Sequence, residues 1–401
     1  MRICDVRITP VSVPVEAPLR YSTGADGGIH RLIVELETDN GCVGLGECNA
    51  GAAREARLRE CIPQILGADP FHTERLRWQI GAPAEIKLFG NVNHTFAAIE
   101  FACLDIQGKV TGRPVHDLLG GKLRDFIPLI GYLFYRYAGA HGQGAITDTA
   151  SMLAYARDVV EQYRFRTLKF KAGVLPPEEE LQAVAALREA FPKISLRVDP
   201  NAAWSVGTAL RMARKLGSYD LEYLEDPTWG LRGMARVNAK CPEMPLASNM
   251  AVATPEDFAP MALLNALDVV LIDPHFYGGL RQARHAAAAL ELLNVDVAVH
   301  SQGELGISMA AQLHLAAVLP SLTHAPDAHY HHLVDDVIEG GKMRIEDGGI
   351  RVPEGNGLGI TIDPERLNRY HELGRKWQAS AETSMVGDSR AEAHLAVLPK
   401  W

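Results

Sequence analysis

The sequence lacks the features that mark several large classes of protein. Its 49 Asp and Glu residues outnumber its 40 Lys and Arg residues, for a formal net charge of −9, and an acidic chain is a poor partner for nucleic acid. No apolar run approaches the roughly 18 to 20 residues that a membrane-spanning helix needs. Asp5 and Arg7 interrupt the N-terminal stretch, so we expect no secretion signal. We therefore expect neither a nucleic-acid partner nor association with a membrane.

The cysteines are few and scattered. The chain has 6 of them, and no C-x-x-C pair occurs, so the spacing indicates neither a zinc site nor a disulfide framework. Isolated reduced thiols are typical of cytoplasmic proteins, and a cytoplasmic location is the one we expect.

What the sequence does contain is a series of short apolar runs, each ended by a polar or charged residue. In chain order these ends are Lys171, Asp199, Glu225, Asn249, Asp273 and His300. Successive ends are separated by 24 to 28 positions, the length of one strand followed by one helix. Repeated units of this kind predict an α/β fold with a parallel sheet. In a TIM-type barrel the carboxyl ends of the strands meet at one mouth, where active sites lie.

The first part of the chain has a different pattern. Residues 2–14 alternate as a strand does, and residues 32–38 and 42–47 flank an Asp-Asn-Gly turn, which predicts a β-hairpin. Residues 21–28 are glycine-rich, and we interpret them as a mobile surface turn rather than as a cover for a ligand. Helical patterns follow, so residues 1–120 are expected to form an α+β domain.

The same patterns divide the rest of the chain. An apolar and aromatic run at residues 126–135 is the expected first barrel strand, and a short run at 322–325 is the expected last one. Residues 121–330 would then form the barrel. Glycine-rich turns and short strands from about residue 333 onward indicate that residues 331–401 return to the N-terminal domain.

Three successive strand ends offer oxygen ligands. Asp199, Glu225 and Asn249 would suit a hard divalent cation, most simply Mg²⁺, with further coordination positions left for substrate and water. Acids at strand ends also cap helices, but three in register favour a metal site.

Two lysines lie on one face of the strand that precedes these ligands. Lys169 and Lys171 are two positions apart, so both side chains point into the barrel or its mouth. Neighbouring ammonium groups lower each other's pKa, and we expect this effect to make a lysine usable as a base near neutral pH.

A carboxylate and an imidazole end two later strands. Asp273 can fix the tautomer of His300 and raise its basicity. A metal, a lysine and a His–Asp pair together suit abstraction of a proton α to a carboxylate, with the metal and a cation stabilising the resulting enediolate. Two acid/base groups allow either inversion of the α-carbon or loss of a β-hydroxyl, and the residues alone leave both open.

At these residues the sequence resembles the enolase superfamily, and within it the glucarate dehydratases. The similarity extends over nearly the whole chain and includes the stretches LKFKAGVL from Leu168, VDPNAAW from Val198, Glu225-Asp226-Pro227, Ser248-Asn249-Met250, Asp273-Pro274-His275-Phe276 and His300-Ser301. The amide as third metal ligand is specific, because most relatives have an acid there. The resemblance implies a modified (β/α)7β TIM-type barrel with an α+β capping domain.

The resemblance also implies roles for individual residues. Asp199, Glu225 and Asn249 would bind Mg²⁺, Lys171 would be the base for one epimer, and Lys169 would bind the substrate carboxylate. His300, supported by Asp273, would be the base for the other epimer and the acid for the departing hydroxide, with Asn201 as a polar contact near the reacting carbon. The distal part of the substrate would meet Tyr132, Ser301, His329 and Arg390.

The implied activity is a Mg²⁺-dependent dehydratase acting on a small carboxylate sugar, with a homo-oligomer as the expected assembly. A racemase or epimerase using the same bases, or a non-catalytic relative that binds an anion, are the alternatives. The chain departs from the family pattern at Asp26, where relatives carry a histidine, at Gln302-Gly303-Glu304, and in a shortened segment after Glu225-Asp226-Pro227. These departures leave the exact substrate open.

Overall fold

The computed structural model describes residues 1–81, 92–140, 142–381 and 398–401. Over this part of the chain, no helix combines the length and apolar character required to cross a membrane.

The N-terminal part is an antiparallel sheet covered by helices. Strands β1 (Ile3–Tyr21), β2 (Gly24–Thr38) and β3 (Val43–Asn49) lie in that order, so the predicted hairpin of β2 and β3 is confirmed. Helices α1 (Ala52–Ile65), α2 (Thr73–Gln79) and α3 (Val92–Thr111) follow. Helix α3 approaches β3 so closely that a Cβ atom on Gly46 would lie 1.9 Å from the carbonyl oxygen of Ala98. This sheet and its helices enclose a small hydrophobic core of their own.

The glycine-rich stretch of residues 21–28 is not a surface turn, and that interpretation was wrong. β1 extends to Tyr21 and β2 begins at Gly24, so only Ser22 and Thr23 form the turn. Pairing between the two strands shifts register between Pro14 and Leu19 and then resumes to the tip. The tip of the resulting long hairpin lines the cavity described below.

The barrel begins after helix α4 (Val115–Leu118). Its parallel strands are β5 (Gly131–Phe134), β6 (Thr167–Lys171), β7 (Ser195–Asp199), β8 (Tyr223–Glu225), β9 (Leu246–Ser248), β10 (Val269–Ile272) and β11 (Asp296–Val299). The connecting helices are α5 (Thr149–Tyr163), α6 (Pro177–Ala190), α7 (Val206–Leu216), α8 (Gly230–Asn238), α9 (Phe258–Leu264), α10 (Leu280–Leu292) and α11 (Gly306–Val318). Residues 322–327 fill the eighth position: Asp327 N donates to Val299 O at 2.9 Å, and Ile130 N donates to Pro326 O at 3.1 Å. The predicted TIM-type barrel with a capping domain is confirmed.

The predicted first barrel strand is divided in two. Strand β4 (Phe126–Pro128) pairs outside the barrel with β12 (Gly349–Arg351), and only β5 joins the parallel sheet. Pro128 lacks an N–H donor and ends the first piece.

The C-terminal segment contains a helix that the patterns did not predict. Helix α12 (Pro364–Ala381) packs on β1, where His371 Nδ1 lies 2.7 Å from Pro10 O. Gly374 allows this close approach, because a Cβ atom there would lie 3.0 Å from Ser12 Oγ. The limits 1–120, 121–330 and 331–401 remain predictions.

Candidate active site

The strand-end residues meet at the carboxyl mouth of the barrel. Lys171, Asp199 and Glu225 are the last residues of β6, β7 and β8, and Asn249, Asp273 and His300 directly follow β9, β10 and β11. Because the strands are parallel and adjacent, these six side chains converge from most of the circumference of the barrel.

The two lysines contact the carboxylates at this mouth. Lys171 Nζ lies 2.5 Å from Asp199 Oδ2. Lys169 Nζ lies 2.5 Å from Glu225 Oε2, 2.7 Å from Asp327 Oδ2 and 3.6 Å from Asp199 Oδ2. Lys169 has no exposed surface, so its charge is matched entirely by these neighbours.

The surrounding carboxylates determine the charge state of Lys169. Burial lowers the pKa of Lys169, but Asp327, Glu225 and Asp199 together outweigh it and hold the pKa well above 10.5. The expectation that neighbouring ammonium groups beside a divalent metal depress each other's pKa remains a prediction. Lys169 stays protonated, which suits electrostatic stabilisation of an anion and not proton abstraction.

Asp327 is a site residue that the sequence reasoning missed. Its carboxylate accepts from Lys169 and from the Tyr132 hydroxyl at 3.1 Å, and Arg197 Nη1 lies 3.4 Å away. The sequence feature that could have identified Asp327 is its position two residues beyond the predicted last strand, at the carboxyl end of the eighth barrel position.

The loop after β9 places the amide of Asn249 beside two carboxylates. Asp226, in a left-handed conformation with φ of 37°, accepts from the backbone N–H groups of Asn249 and Met250 at 3.1 and 3.2 Å. With its nitrogen inward, the amide donates to Glu225 Oε1 at 3.2 Å and to Asp226 Oδ2 at 3.1 Å, and its oxygen accepts from His300 Nε2 at 3.2 Å. With its oxygen inward, Asn249 Oδ1 lies 3.2 Å from Glu225 Oε1, so two acceptor oxygens face each other. In this orientation the amide N–H can donate to a neutral His300 Nε2.

The oxygen-inward arrangement has the spacing that a hard cation requires. Octahedral Mg²⁺ with bonds of about 2.1 Å places adjacent ligand oxygens about 3 Å apart. Burial raises the pKa of Glu225 well above 4.5, and the neighbouring Asp199 and Asp327 add to the rise against the opposing effect of Lys169. A divalent cation would relieve this repulsion, so Asp199, Glu225 and Asn249 fit Mg²⁺. Within the described ranges no group of three His, Cys, Asp or Glu side chains is placed for metal binding; here the third donor is an amide.

His300 and Asp273 form a hydrogen-bonded pair. His300 Nδ1 lies 3.0 Å from Asp273 Oδ2, which also accepts from Gln302 Nε2 at 2.7 Å. The other carboxylate oxygen accepts from the backbone N–H of His275 at 2.8 Å and faces its Nδ1 at 3.0 Å. Burial would raise the pKa of Asp273, but hydrogen bonds from His275 and His300 hold it well below 3.8. The carboxylate therefore stays ionised and directs the Nε2 atom of His300 toward the mouth.

A cavity of about 360 Å³ opens above these groups, within the range of small-molecule sites. The predicted residues that line it are Lys171, Asn201, Asn249, His300, Ser301 and His329. Tyr132 has no exposed surface and lies beneath the cavity against Asp327, and Arg390 lies outside the described residues. Their roles in substrate binding remain predictions.

Three polar residues of the lining are held by neighbours. Ser301 Oγ donates to Glu304 Oε2 at 2.5 Å and lies 2.7 Å from His329 Nδ1. Burial and the nearby Lys171 hold the pKa of His329 well below 6.5, so this imidazole is neutral. Asn201 has a left-handed φ of 49°, and its carbonyl accepts from Ser22 in the tip of the β1–β2 hairpin at 3.2 Å.

Two of the departures from the family pattern also line the cavity. Asp26, on β2, and Gln302 face it, whereas Gly303 and Glu304 do not. The side chain of Asp26 lies 3.4 Å from His30 Nε2. The cavity therefore has a carboxylate on the side formed by the capping hairpin.

Two family models match the chain. The model of the mandelate racemase and muconate lactonizing enzyme N-terminal domain matches residues 3–120, and the enolase C-terminal domain-like model matches residues 151–366.

Individual relatives match over the full length. A probable glucarate dehydratase from Streptomyces coelicolor is 38% identical over 428 aligned residues, covering 100% of this chain and 97% of that protein. The crystal structure of an enolase from Mycobacterium smegmatis complexed with tartrate has a TM-score of 0.91 at 39% identity, covering 100% of this chain and 98% of that one. An enolase from Thermobispora bispora complexed with magnesium and formate has a TM-score of 0.88 at 39% identity, with both chains covered completely. The chain belongs to the enolase superfamily and, within it, to the glucarate dehydratase-like subgroup.

Proposed function

We propose that the protein is a Mg²⁺-dependent hydro-lyase that dehydrates an acid sugar of the glucarate type to a keto-deoxy acid. One observation carries this proposal: Lys171 and His300 line the same cavity from the second and the seventh of the eight barrel positions. Two acid/base groups that approach one ligand from different sides can remove a proton from one face and handle the leaving group at another.

Asp199, Glu225 and Asn249 are the proposed ligands of Mg²⁺. When bound, the cation would supply Lewis-acid stabilisation of the negative charge that develops on the substrate carboxylate. The Thermobispora bispora enolase was crystallised with magnesium, which supports Mg²⁺ as the cation.

The chain's own residues supply the proton transfers. Lys169, which the resemblance assigns to the substrate carboxylate, is buried beside Asp199 and Glu225, and its proposed role is electrostatic stabilisation of the enediolate. Lys171 takes the α-proton of one epimer, and His300 takes that of the other. For loss of the β-hydroxyl, a protonated His300 donates to the oxygen as the C–O bond breaks. Water departs, and the resulting enol becomes a keto acid by gaining a proton at carbon.

A racemase or epimerase is the second candidate, because the same two bases can exchange the α-proton without elimination. The ionised Asp273 beside His300 favours proton-transfer chemistry over mere anion binding, since it keeps a basic nitrogen directed at the cavity. A non-catalytic protein would need no such arrangement.

The test is incubation with a panel of acid sugars in D₂O with Mg²⁺, followed by ¹H NMR and a keto-acid assay. Keto acid from glucarate or its epimer idarate is the expected result, and Lys169→Met is the inactive control. Deuterium exchange without keto acid would support the racemase. Ligand binding without exchange, with Mg²⁺ bound, would contradict the enzyme assignment.

A further inference from the structure

Arg31 is a buried cation at the contact between the capping sheet and the barrel. It lies on β2, has no exposed surface, and donates through Nε to Glu47 Oε1 at 2.6 Å. Glu47 in turn accepts from the backbone N–H groups of Leu305 and Ser308, at the start of α11, at 2.9 and 2.8 Å. Charge neutralisation therefore needs only Nε of Arg31 and leaves its two terminal nitrogens for other partners.

One terminal nitrogen leads to Asp273 through a histidine. Arg31 Nη2 lies 3.1 Å from His275 Nε2, and His275 Nδ1 lies 3.0 Å from Asp273 Oδ1. Nη2 also donates to Ser308 Oγ at 3.1 Å, and that hydroxyl lies 3.0 Å from His275 Nε2. A guanidinium only donates, and the hydroxyl that accepts from it can donate to Nε2, so this arrangement favours Nε2 of His275 as an acceptor with the ring proton on Nδ1. Arg31 thereby makes His275 a donor to Asp273.

The other terminal nitrogen leads to the same carboxylate through two amides. Arg31 Nη1 donates to Asn49 Oδ1, Asn49 Nδ2 donates to Gln302 Oε1 at 2.9 Å, and Gln302 Nε2 donates to Asp273 Oδ2 at 2.7 Å. Each amide accepts on the side of the arginine and donates on the side of Asp273. The two branches end on different oxygens of one carboxylate.

We propose that Arg31 is a positioning residue for the His300 base, acting through both branches on Asp273. The two branches and the backbone N–H of His275 fill the other acceptor positions of Asp273, which accepts from His300 Nδ1. This fixes the proton of His300 on Nδ1 and leaves Nε2 as an acceptor at the cavity, 3.2 Å from the side-chain amide of Asn249. The capping domain thus completes the barrel's second base as well as covering the cavity. The proposal rests on the role of His300 in the proposed function.

Lysine cannot replace this arginine. A lysine at position 31 keeps a positive charge for Glu47 but presents a single nitrogen, not a planar fork with three separate donor sites. A single lysine nitrogen cannot donate to Glu47, His275 and Asn49 at once, so at least one of the two branches would lose the donor that Arg31 supplies. Arg31→Lys therefore tests the geometry while retaining the buried charge.

The most direct readout is the tautomer of His300. With ¹⁵N-histidine labelling and Mg²⁺ present, and with the His300 signals assigned from His300→Gln, the wild type should show one neutral tautomer protonated at Nδ1. Arg31→Lys should show a mixture of tautomers, and Asn49→Ala, which breaks one branch and leaves the ion pair intact, should show a smaller admixture. A pure Nδ1–H tautomer in a folded Arg31→Lys variant would overturn the proposal.

The second readout is the balance between the two bases. Arg31→Lys should lower α-proton exchange of the epimer handled by His300 by about 10- to 100-fold, and leave exchange by Lys171 within a few-fold of wild type. The matched control is Arg281→Lys, since Arg281 also joins barrel to capping domain but donates to Thr73 and Gln107. An equal loss for both epimers would show a purely structural role. If wild type exchanges neither epimer, the proposed function fails, and the tautomer measurement still decides the role of Arg31.

Discussion

Replacing Asp273 by asparagine should disable one base and spare the other. An amide offers one acceptor where the carboxylate offers two. An amide nitrogen at the Oδ1 position would lie 2.8 Å from the backbone nitrogen of His275, and this N–H can only donate. The Oδ2 position also faces a donor, Gln302 Nε2 at 2.7 Å, but a side-chain amide can turn over and present its oxygen, whereas a backbone N–H cannot. The nitrogen should therefore occupy the Oδ2 position, where it faces His300 Nδ1 at 3.0 Å.

His300 must then accept at Nδ1 and carry its proton on Nε2. In that tautomer no lone pair is directed at the cavity, and Nε2–H would instead favour the Asn249 orientation with its oxygen away from Glu225. Substitutions that impose a wrong tautomer or remove an orienting carboxylate cost about 10²- to 10⁴-fold in rate, or about 3 to 5 kcal/mol of transition-state stabilisation.

The assay is α-proton exchange in D₂O with each of two epimeric acid sugars. Asp273→Asn should slow exchange at the His300 face by this factor, while exchange at the Lys171 face stays within about threefold. His300→Gln is the reference for complete loss of that base. Equal slowing of both epimers, or normal exchange at the His300 face, would refute the reasoning.

Three further predictions concern the other base, stability and specificity. Lys171→Met should abolish exchange of the opposite epimer and leave His300-side exchange measurable, in the same NMR assay; loss of both would contradict separate roles. Burial raises the pKa of Glu180 from 4.5 to about 7 against hydrogen bonds from the backbone N–H groups of Gly173, Leu175 and Val174, so its contribution to stability is complete below pH 4.5 and is lost as pH rises through 7. Relative to Glu180→Gln, wild type should lose about 2 to 3 kcal/mol of unfolding free energy between pH 5 and 8 in urea titrations, and a pH-independent difference would refute this. Asp26→Asn should lower KM for dicarboxylate substrates by up to about fivefold and leave that for monocarboxylates unchanged; no difference between the two classes would exclude a role for this charge.

The regular spacing of strand ends made the centre of the site predictable. One α-helix and one strand lie between each strand-end residue and the next, from Lys171 to His300. Parallel pairing of the strands then brings their carboxyl ends together irrespective of the loop conformations. The last strand was predicted at residues 322–325, but no polar residue directly ends that run, and residues 322–327 join the barrel through isolated hydrogen bonds. Asp327, two residues beyond the predicted strand, was therefore missed.

Contacts between distant segments were not predictable. Arg31 and His275 are 244 positions apart, and strand periodicity alone gives no indication that a charged residue in the capping sheet is buried against the barrel. The long hairpin was misinterpreted for a related reason: glycines typical of turns here allow β2 to pass close to α12, where a Cβ atom on Gly28 would overlap the ring of Trp377.

The proposed function is tested most directly by the product that the Mg²⁺-loaded protein forms from acid sugars in D₂O. Wild type should form a keto-deoxy acid, and Lys169→Met should form none. Complete absence of both keto acid and α-deuteration across the panel, with Mg²⁺ demonstrably bound, would contradict the proposed function.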